Sequence, residues 1–158
     1  MKEEIQDNLI QIHDLRISIY SEGSYFDVVK GLSLSVCSNE ILCLVGESGC
    51  GKSITALSVM GLLPTDVAQV TNGEILFRGQ DLLKLSASDM RRLRSDEISM
   101  IFQDPITSLD PVFTIGSLLT EIIRVHRNVG SSEAENMAVD ALEAAQLPNA
   151  RQRLKSYP

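Results

Sequence analysis

No apolar run in this 158-residue sequence is longer than the five residues Ile41 to Val45. A bilayer-spanning helix needs about twenty, so any work at a membrane requires a partner that is itself embedded. The opening residues, Met1 to Asn8, are polar and acidic, which is not the pattern of a secretory signal. Cysteine is scarce. Cys37, Cys43 and Cys50 include no C-x-x-C pair, and neither His13 nor His126 stands at zinc-ligand spacing from them. Three reduced thiols in a cytosolic protein are expected, not a structural disulfide. Basic excess is lacking too: the net charge is −7. Sequence-independent binding to nucleic acid and a polybasic membrane anchor both need the opposite sign.

What remains is the balance of a globular protein, 44% hydrophobic and 22% charged, long enough for one ordinary core. Ile10, Ile12, Leu15, Ile17 and Ile19 carry the near-alternation of a half-buried strand. Val28, Val29, Leu32, Leu34 and Val36 repeat it after a turn at Ser21-Glu22-Gly23-Ser24. The run Ile41 to Val45 is apolar on both alternating faces, which predicts a strand in the middle of a covered sheet. Ile54 to Leu63 predicts a buried helix ending before Pro64, and Glu74 to Gly79 a strand after the Asn72-Gly73 turn. Ser86 with Asp89 predicts the cap of a short basic helix, and Ile98 to Phe102 a further strand. Beyond it the spacing of Ile115, Leu118, Leu119 and Ile122 is helical. A second helix, around Ala134 to Ala145, is expected behind a capping box of Ser132 and Glu135.

The residues with the clearest chemistry are Gly46-Glu47-Ser48-Gly49-Cys50-Gly51-Lys52-Ser53. They match G-x-x-x-x-G-K-[ST] without a gap, between an apolar strand pattern and a helical one. A triphosphate is densely negative, and successive backbone N–H groups in a tight loop form a nest for it. Gly49 and Gly51 allow backbone angles and close approach that a side chain would block. The helix starting near Lys52 adds its positive end, with Ile54 in its first turn. Lys52 is placed to reach the β and γ phosphates and Ser53 to ligate Mg²⁺. Glu47 and Cys50 are expected to contribute backbone alone.

The loop by itself permits an ATPase, a GTPase or a small-molecule kinase. No N-K-x-D guanine-reading motif occurs, which argues against a GTPase. Gln103 is open to more than one reading: it can be a polar residue at a strand end, and Asp104 beside it can be the magnesium carboxylate of a kinase-like fold. However, Met100 to Pro111 resembles the glutamine loop of ABC transporter ATPases, in the branch serving oligopeptide, dipeptide and nickel importers. Residues Gly73 to Leu83 and Arg91-Arg92-Leu93-Arg94 resemble the same branch, and the likeness extends from about Ile10 to Pro158.

The resemblance implies an α/β fold: an incomplete P-loop NTPase core with an antiparallel β subdomain and the start of a helical subdomain. The expected division is 1–103 for the N-terminal part of the ATP-binding core and 104–158 for the glutamine-loop exit and helical subdomain. The implied cofactors are ATP and Mg²⁺, with Gln103 joining Ser53 at the metal and linking the site to a transmembrane subunit. An aromatic residue would stack on adenine; Tyr20 is the candidate, with Tyr25 and Phe26 as competitors. Implied partners are integral-membrane permease subunits and a second ATP-binding subunit, with no nucleic acid. The place of work is the cytoplasmic face of the membrane, held through the permease. The family's L-S-G-G signature, its apolar strand ending in Asp-Glu and its switch histidine do not occur in these residues. The chain therefore resembles the N-terminal part of such an ATPase, expected to bind Mg-ATP weakly with little turnover. A small cytosolic kinase and a non-catalytic nucleotide-binding module are the alternatives.

Overall fold

The computed structural model describes residues 8–103 and 109–158. The chain divides into two compact units, 1–99 and 100–158.

The first unit is built on two long strands, β1 (Asn8–Ser21) and β2 (Ser24–Cys37). They pair antiparallel through a two-residue turn in which Glu22 and Gly23 both take positive φ, 51° and 83°. That is the turn whose twist matches a hairpin. Strand β3 (Ala68–Phe77) pairs antiparallel with the other edge of β1, and the two-residue β4 (Gln80–Asp81) closes the order β2-β1-β3-β4. The antiparallel subdomain is thus present. Strand β3 begins earlier than the Glu74 to Gly79 expectation because its Asn72-Gly73 pair bends a continuous strand instead of ending one.

The bend has a physical cause on β1. Asp14 has φ 41° and interrupts the β1 register. A Cβ at Gly73, φ 95°, would stand 2.5 Å from the His13 carbonyl oxygen and 2.6 Å from that of Asp14. Only glycine lets the two backbones approach so closely. Around the bulge, Asn72 donates to Asp14 Oδ2 at 2.7 Å, the Asp14 N–H donates to Ser33 Oγ at 2.9 Å, and Arg16 pairs with Asp14 at 3.2 Å.

Helix α1 (Lys52–Val59) follows the glycine loop, and α2 (Ala87–Asp96) follows a single 3₁₀ turn, Leu82–Lys84. The core gathers Ile12, Leu15, Ile17, Val29, Ile75 and Phe77 from the sheet with Leu82, Met90 and Leu93. Ile54 and Val59 of α1 pack against it. Ser86 caps α2 as expected, accepting from the Asp89 N–H at 3.2 Å. Arg94 of α2 donates to the Met60 carbonyl at 2.9 Å, placing a cation at the C-terminal end of α1.

Three expectations need correction in this unit and at its boundary. Residues 41–45 form no strand, and Ile41 and Val45 are more than nine-tenths exposed. Residues 98–102 form none either, and Ile101 is 90% exposed. Both runs have the composition of buried parallel strands, but a strand exists only with a neighbour to pair with. Among the described residues no parallel strand is present. Helix α1 is also shorter than the predicted 54–63 and buries only Thr55 and Ser58; its last turn unwinds at Met60 and Gly61, ahead of Pro64.

The second unit is helical: α3 (Ile115–Arg127), α4 (Ser131–Ala144) and α5 (Ala150–Arg153). Leu119, Ile123 and Leu142 pack around buried Ala138, Val139, Ala150 and Leu154. The start of α3 is tied down twice, by Thr114 accepting from the Ser117 N–H and by the Ile115 and Gly116 N–H groups donating to Ser156 and Leu154 carbonyls. The predicted capping box of Ser132 and Glu135 is not formed. Helix α4 begins two residues earlier than a Ser132 cap would start it, with Gly130 as its cap and no side-chain cap bond, so Ser132 stands inside the first turn.

Candidate phosphate-binding site

Residues 46–51 lie between the unpaired 41–45 segment and α1, and Lys52 and Ser53 are the first two residues of that helix. Four features shape the glycine loop. Gly49 has φ 81° and Gly51 φ 97°, both in the left-handed region that favours glycine. A Cβ on Gly51 would come within 3.0 Å of the Val28 carbonyl oxygen and of Val29 Cγ2, so the loop is seated against β2. A Cβ on Gly46 would meet Cys50 Sγ at 2.7 Å, so the loop closes tightly on itself. The Cys50 N–H turns inward to the Glu47 carbonyl at 3.4 Å.

Lys52 occupies the middle of this loop. Its Nζ donates to the Gly46 and Glu47 carbonyl oxygens at 2.7 Å each and stands 3.5 Å from Cys50 Sγ. The ammonium is therefore held over the loop by neutral acceptors, which a charged phosphate oxygen would outcompete. Gly51 is the N-cap of α1 and offers no side-chain acceptor. The first N–H groups of the helix are consequently left for an anion, and no acidic residue lies in the first turn to compete for them. Ser53 is exposed beside them. Glu47 and Ser48 are exposed as well, and the Glu47 main-chain carbonyl accepts from both Lys52 Nζ and the Cys50 N–H.

A hollow of about 390 Å³ lies alongside, lined by Val28 to Leu32 of β2, by Leu44 and Val45, and by Cys50, Gly51, Lys52 and Thr55. The aromatic candidates are elsewhere in the same unit. Tyr20 and Tyr25 face each other across the hairpin with ring centroids 5.1 Å apart and planes tilted by 56°. Phe26 follows, and all three are about half exposed. Tyr20 and Tyr25 thus form a ring pair beside the turn, Phe26 is the next residue of β2, and none of the three lines the hollow. Gln103 is exposed in the second unit. Asp104, Ile106, Thr107 and Ser108 of the glutamine-loop resemblance lie outside the described residues. Among the described residues, no cluster of three or more His, Cys, Asp or Glu side chains could hold a metal ion unaided.

One residue of the site escaped the sequence reading. Thr55 is 3% exposed, and its hydroxyl donates to the Gly51 carbonyl at 2.8 Å. The only signal for it is a threonine four residues after the loop's last glycine, which is a common spacing in any helix.

A sequence-family model described as "ABC transporter" matches residues 29–158. The chain belongs to the ABC transporter family. It is 43% identical over 152 residues to a probable peptide ABC transporter ATP-binding protein, y4tR, of Sinorhizobium fredii, covering 96% of this chain and 45% of that one. Its identity to the dipeptide transport ATP-binding protein DppD of Bacillus subtilis is 40%, with the same coverage. The oligopeptide transport ATP-binding protein OppD of Escherichia coli is 38% identical over the whole chain and 46% of its own length. The chain thus spans a little under half the length of these relatives.

Among solved structures, the ATP-binding cassette MJ0796 in a dimeric post-hydrolysis state with ADP and Pi superposes with a TM-score of 0.79 at 18% identity, covering 94% of this chain and 61% of that one. The cbiO1 cassette of Clostridium perfringens gives 0.71 at 19%, covering 94% and 59%. These likenesses identify the fold: part of an ABC ATPase domain, a P-loop architecture with its antiparallel subdomain and its first helical elements. The ABC family is one of nucleotide-binding domains. No helix among the described residues is long and apolar enough to cross a membrane.

Proposed function

We propose that this chain supplies the nucleotide-holding part of an ATP-binding subunit of a peptide-type ABC importer. The observation that carries this is the Lys52 ammonium fixed by the Gly46 and Glu47 carbonyls directly ahead of the uncapped α1 terminus. A triphosphate laid on this loop meets main-chain donors from the helix start, the positive helix end and the Lys52 point charge. Lys52 exchanges two neutral acceptors for β- and γ-phosphate oxygens, keeping its position and gaining charge-assisted bonds.

Mg²⁺ fits this donor set only as part of the nucleotide complex. Its ligands would be phosphate oxygens and the Ser53 hydroxyl, with Gln103 as a further ligand by the family resemblance, since among the described residues no side-chain cluster is available to bind it alone. The metal would neutralise charge on the phosphates. The chain's own residues bind and orient them. Adenine would stack on the Tyr20 patch, where Tyr25 presents a second ring in contact with the first. Nothing in 46–53 orients a water for attack on the γ-phosphate, so these residues by themselves bind Mg-ATP with little or no turnover. Hydrolysis in this family's manner would require a second ATP-binding subunit and the signature and glutamate motifs.

The partners that follow are integral-membrane permease subunits, met through Gln103 and the residues after it, with the subunit peripheral on the cytoplasmic face. Relatives named for peptide, dipeptide and oligopeptide transport support peptides as the solute, in preference to nickel. The test is co-purification with peptide-permease subunits, wild type against Gln103→Ala. Retention that falls in the variant is the expected result. No retention on any permease, together with phosphorylation of a soluble metabolite, would replace the importer by a small kinase.

A further inference from the structure

We propose that Thr55 is a positioning residue for the phosphate loop, setting the peptide plane that presents the Lys52 main-chain N–H to a bound phosphate. The inference rests on residues 46–53 being a nucleotide-phosphate loop. Gly51 ends that loop in the left-handed conformation, φ 97°, and its carbonyl oxygen accepts twice from one residue: the Thr55 N–H at 2.9 Å and the Thr55 hydroxyl at 2.8 Å. A trans peptide is planar, so its C=O and the following N–H point in opposite directions. Whatever holds the Gly51 carbonyl down along α1 therefore aims the Lys52 N–H outward, toward the anion.

The main-chain bond alone leaves that plane adjustable, because glycine carries no side chain to restrict its torsions and the residue is a helix cap. The hydroxyl adds a second anchor from a side chain that is 3% exposed, where water does not compete for it. The equally buried Ser58 hydroxyl donates to the Thr55 main-chain carbonyl at 2.6 Å, a bond that involves neither the Thr55 hydroxyl nor the Gly51 carbonyl. Ser58 thus makes a bond of the same kind one turn further on without touching the loop. It serves as the control for helix stability.

The experiment measures the affinity for Mg-ATP by fluorescence titration, alongside the thermal midpoint without nucleotide, for wild type, Thr55→Val, Thr55→Ser and Ser58→Ala. Thr55→Val keeps the shape and removes the hydroxyl. One net hydrogen bond corresponds to roughly three- to tenfold weaker binding, and that loss is expected for Thr55→Val alone. Thr55→Ser is expected within about twofold of wild type, and Ser58→Ala likewise, although its thermal midpoint falls with that of Thr55→Val. Wild-type affinity in Thr55→Val overturns the proposal. So does equal weakening in Thr55→Ser, which assigns the effect to the methyl group, or in Ser58→Ala, which assigns it to helix stability. Absence of binding by wild-type protein overturns the phosphate-loop reading along with it; wild-type binding unaffected by Thr55→Val overturns the positioning role alone.

Discussion

Gly73 and Lys52 stand out in this chain for opposite reasons, one for the fold and one for the proposed phosphate site. Gly73 is structural. A Cβ there would meet two main-chain oxygens of β1 at 2.5 and 2.6 Å in a backbone conformation with φ 95°. Main chain cannot step aside as a side-chain tip can, so Gly73→Ala is expected to destabilise the first unit by at least about 2 kcal/mol. The urea-unfolding midpoint reads this directly, and a midpoint within error of wild type would show that β1 can move. Lys52 is the residue proposed to meet phosphate: its ammonium bonds to Gly46, Glu47 and Cys50 of the loop, and its removal should leave the fold intact. At this scale much was legible beforehand. The loop's spacing singled out Gly49, Gly51, Lys52 and Ser53 as phosphate-binding candidates, and Gly49 and Gly51 do take the left-handed backbone angles expected of them. Thr55 was not legible, since a buried hydroxyl bonded to a carbonyl four residues back leaves no pattern that distinguishes it.

Elements with a local cause were legible too. The β1–β2 hairpin follows from alternation and a two-residue turn, and α2 from Ser86 and Asp89. The failures share one origin. Residues 41–45 and 98–102 have strand composition, yet pairing is not local, and the partner decides whether a strand forms. Similarly, Ser132 and Glu135 match a capping box, but Gly130 starts the helix first.

The 3₁₀ turn after β4 offers a test at this scale. Asp81 caps it, accepting from the Leu83 N–H at 3.1 Å and pairing with Lys84 at 2.8 Å. Burial works to raise the Asp81 pKa, but the Lys84 bond and charge and the Leu83 and Ile75 main-chain N–H groups outweigh it, and the net direction is down from 3.8. A carboxyl with a depressed folded pKa stabilises fully above its unfolded value and loses that stabilisation as pH falls through the folded one. Asp81→Asn keeps a cap acceptor and removes the charge, so it should cost at most about 1 kcal/mol at neutral pH. The difference from wild type should shrink below pH 3.8. Denaturation curves at neutral and acid pH compare the two, and a gap that widens in acid would contradict the assignment.

For the molecule as a whole, the notable property is how much apolar surface lies open. Ile41, Val45 and Ile101 are each at least nine-tenths exposed, and Leu42 and Leu44 more than two-fifths. An uncharged, β-prone run without proline or a pairing partner is a site of association. Ile41→Lys with Val45→Lys should cost the fold about 0.5 kcal/mol at most, because neither side chain is packed. The pair should markedly lower light scattering at high protein concentration. Scattering unchanged by the two charges would place the association elsewhere. The same exposure explains why an α/β composition produced an antiparallel sheet and helices among the described residues, with no parallel layer between them. It also bears on function. The chain spans less than half of its relatives, and on the proposed reading what it contains of the ABC ATPase domain is the phosphate-holding part.

That part is tested most directly by titrating Mg-ATP into the 158-residue chain and into Lys52→Ala, with steady-state phosphate release followed in parallel. The account predicts saturable binding by the wild type, at least tenfold weaker in Lys52→Ala as befits loss of a charge-assisted bond of about 1.5–3 kcal/mol, and little or no phosphate release by either. Equal binding by both proteins, or turnover that Lys52→Ala abolishes, would contradict it.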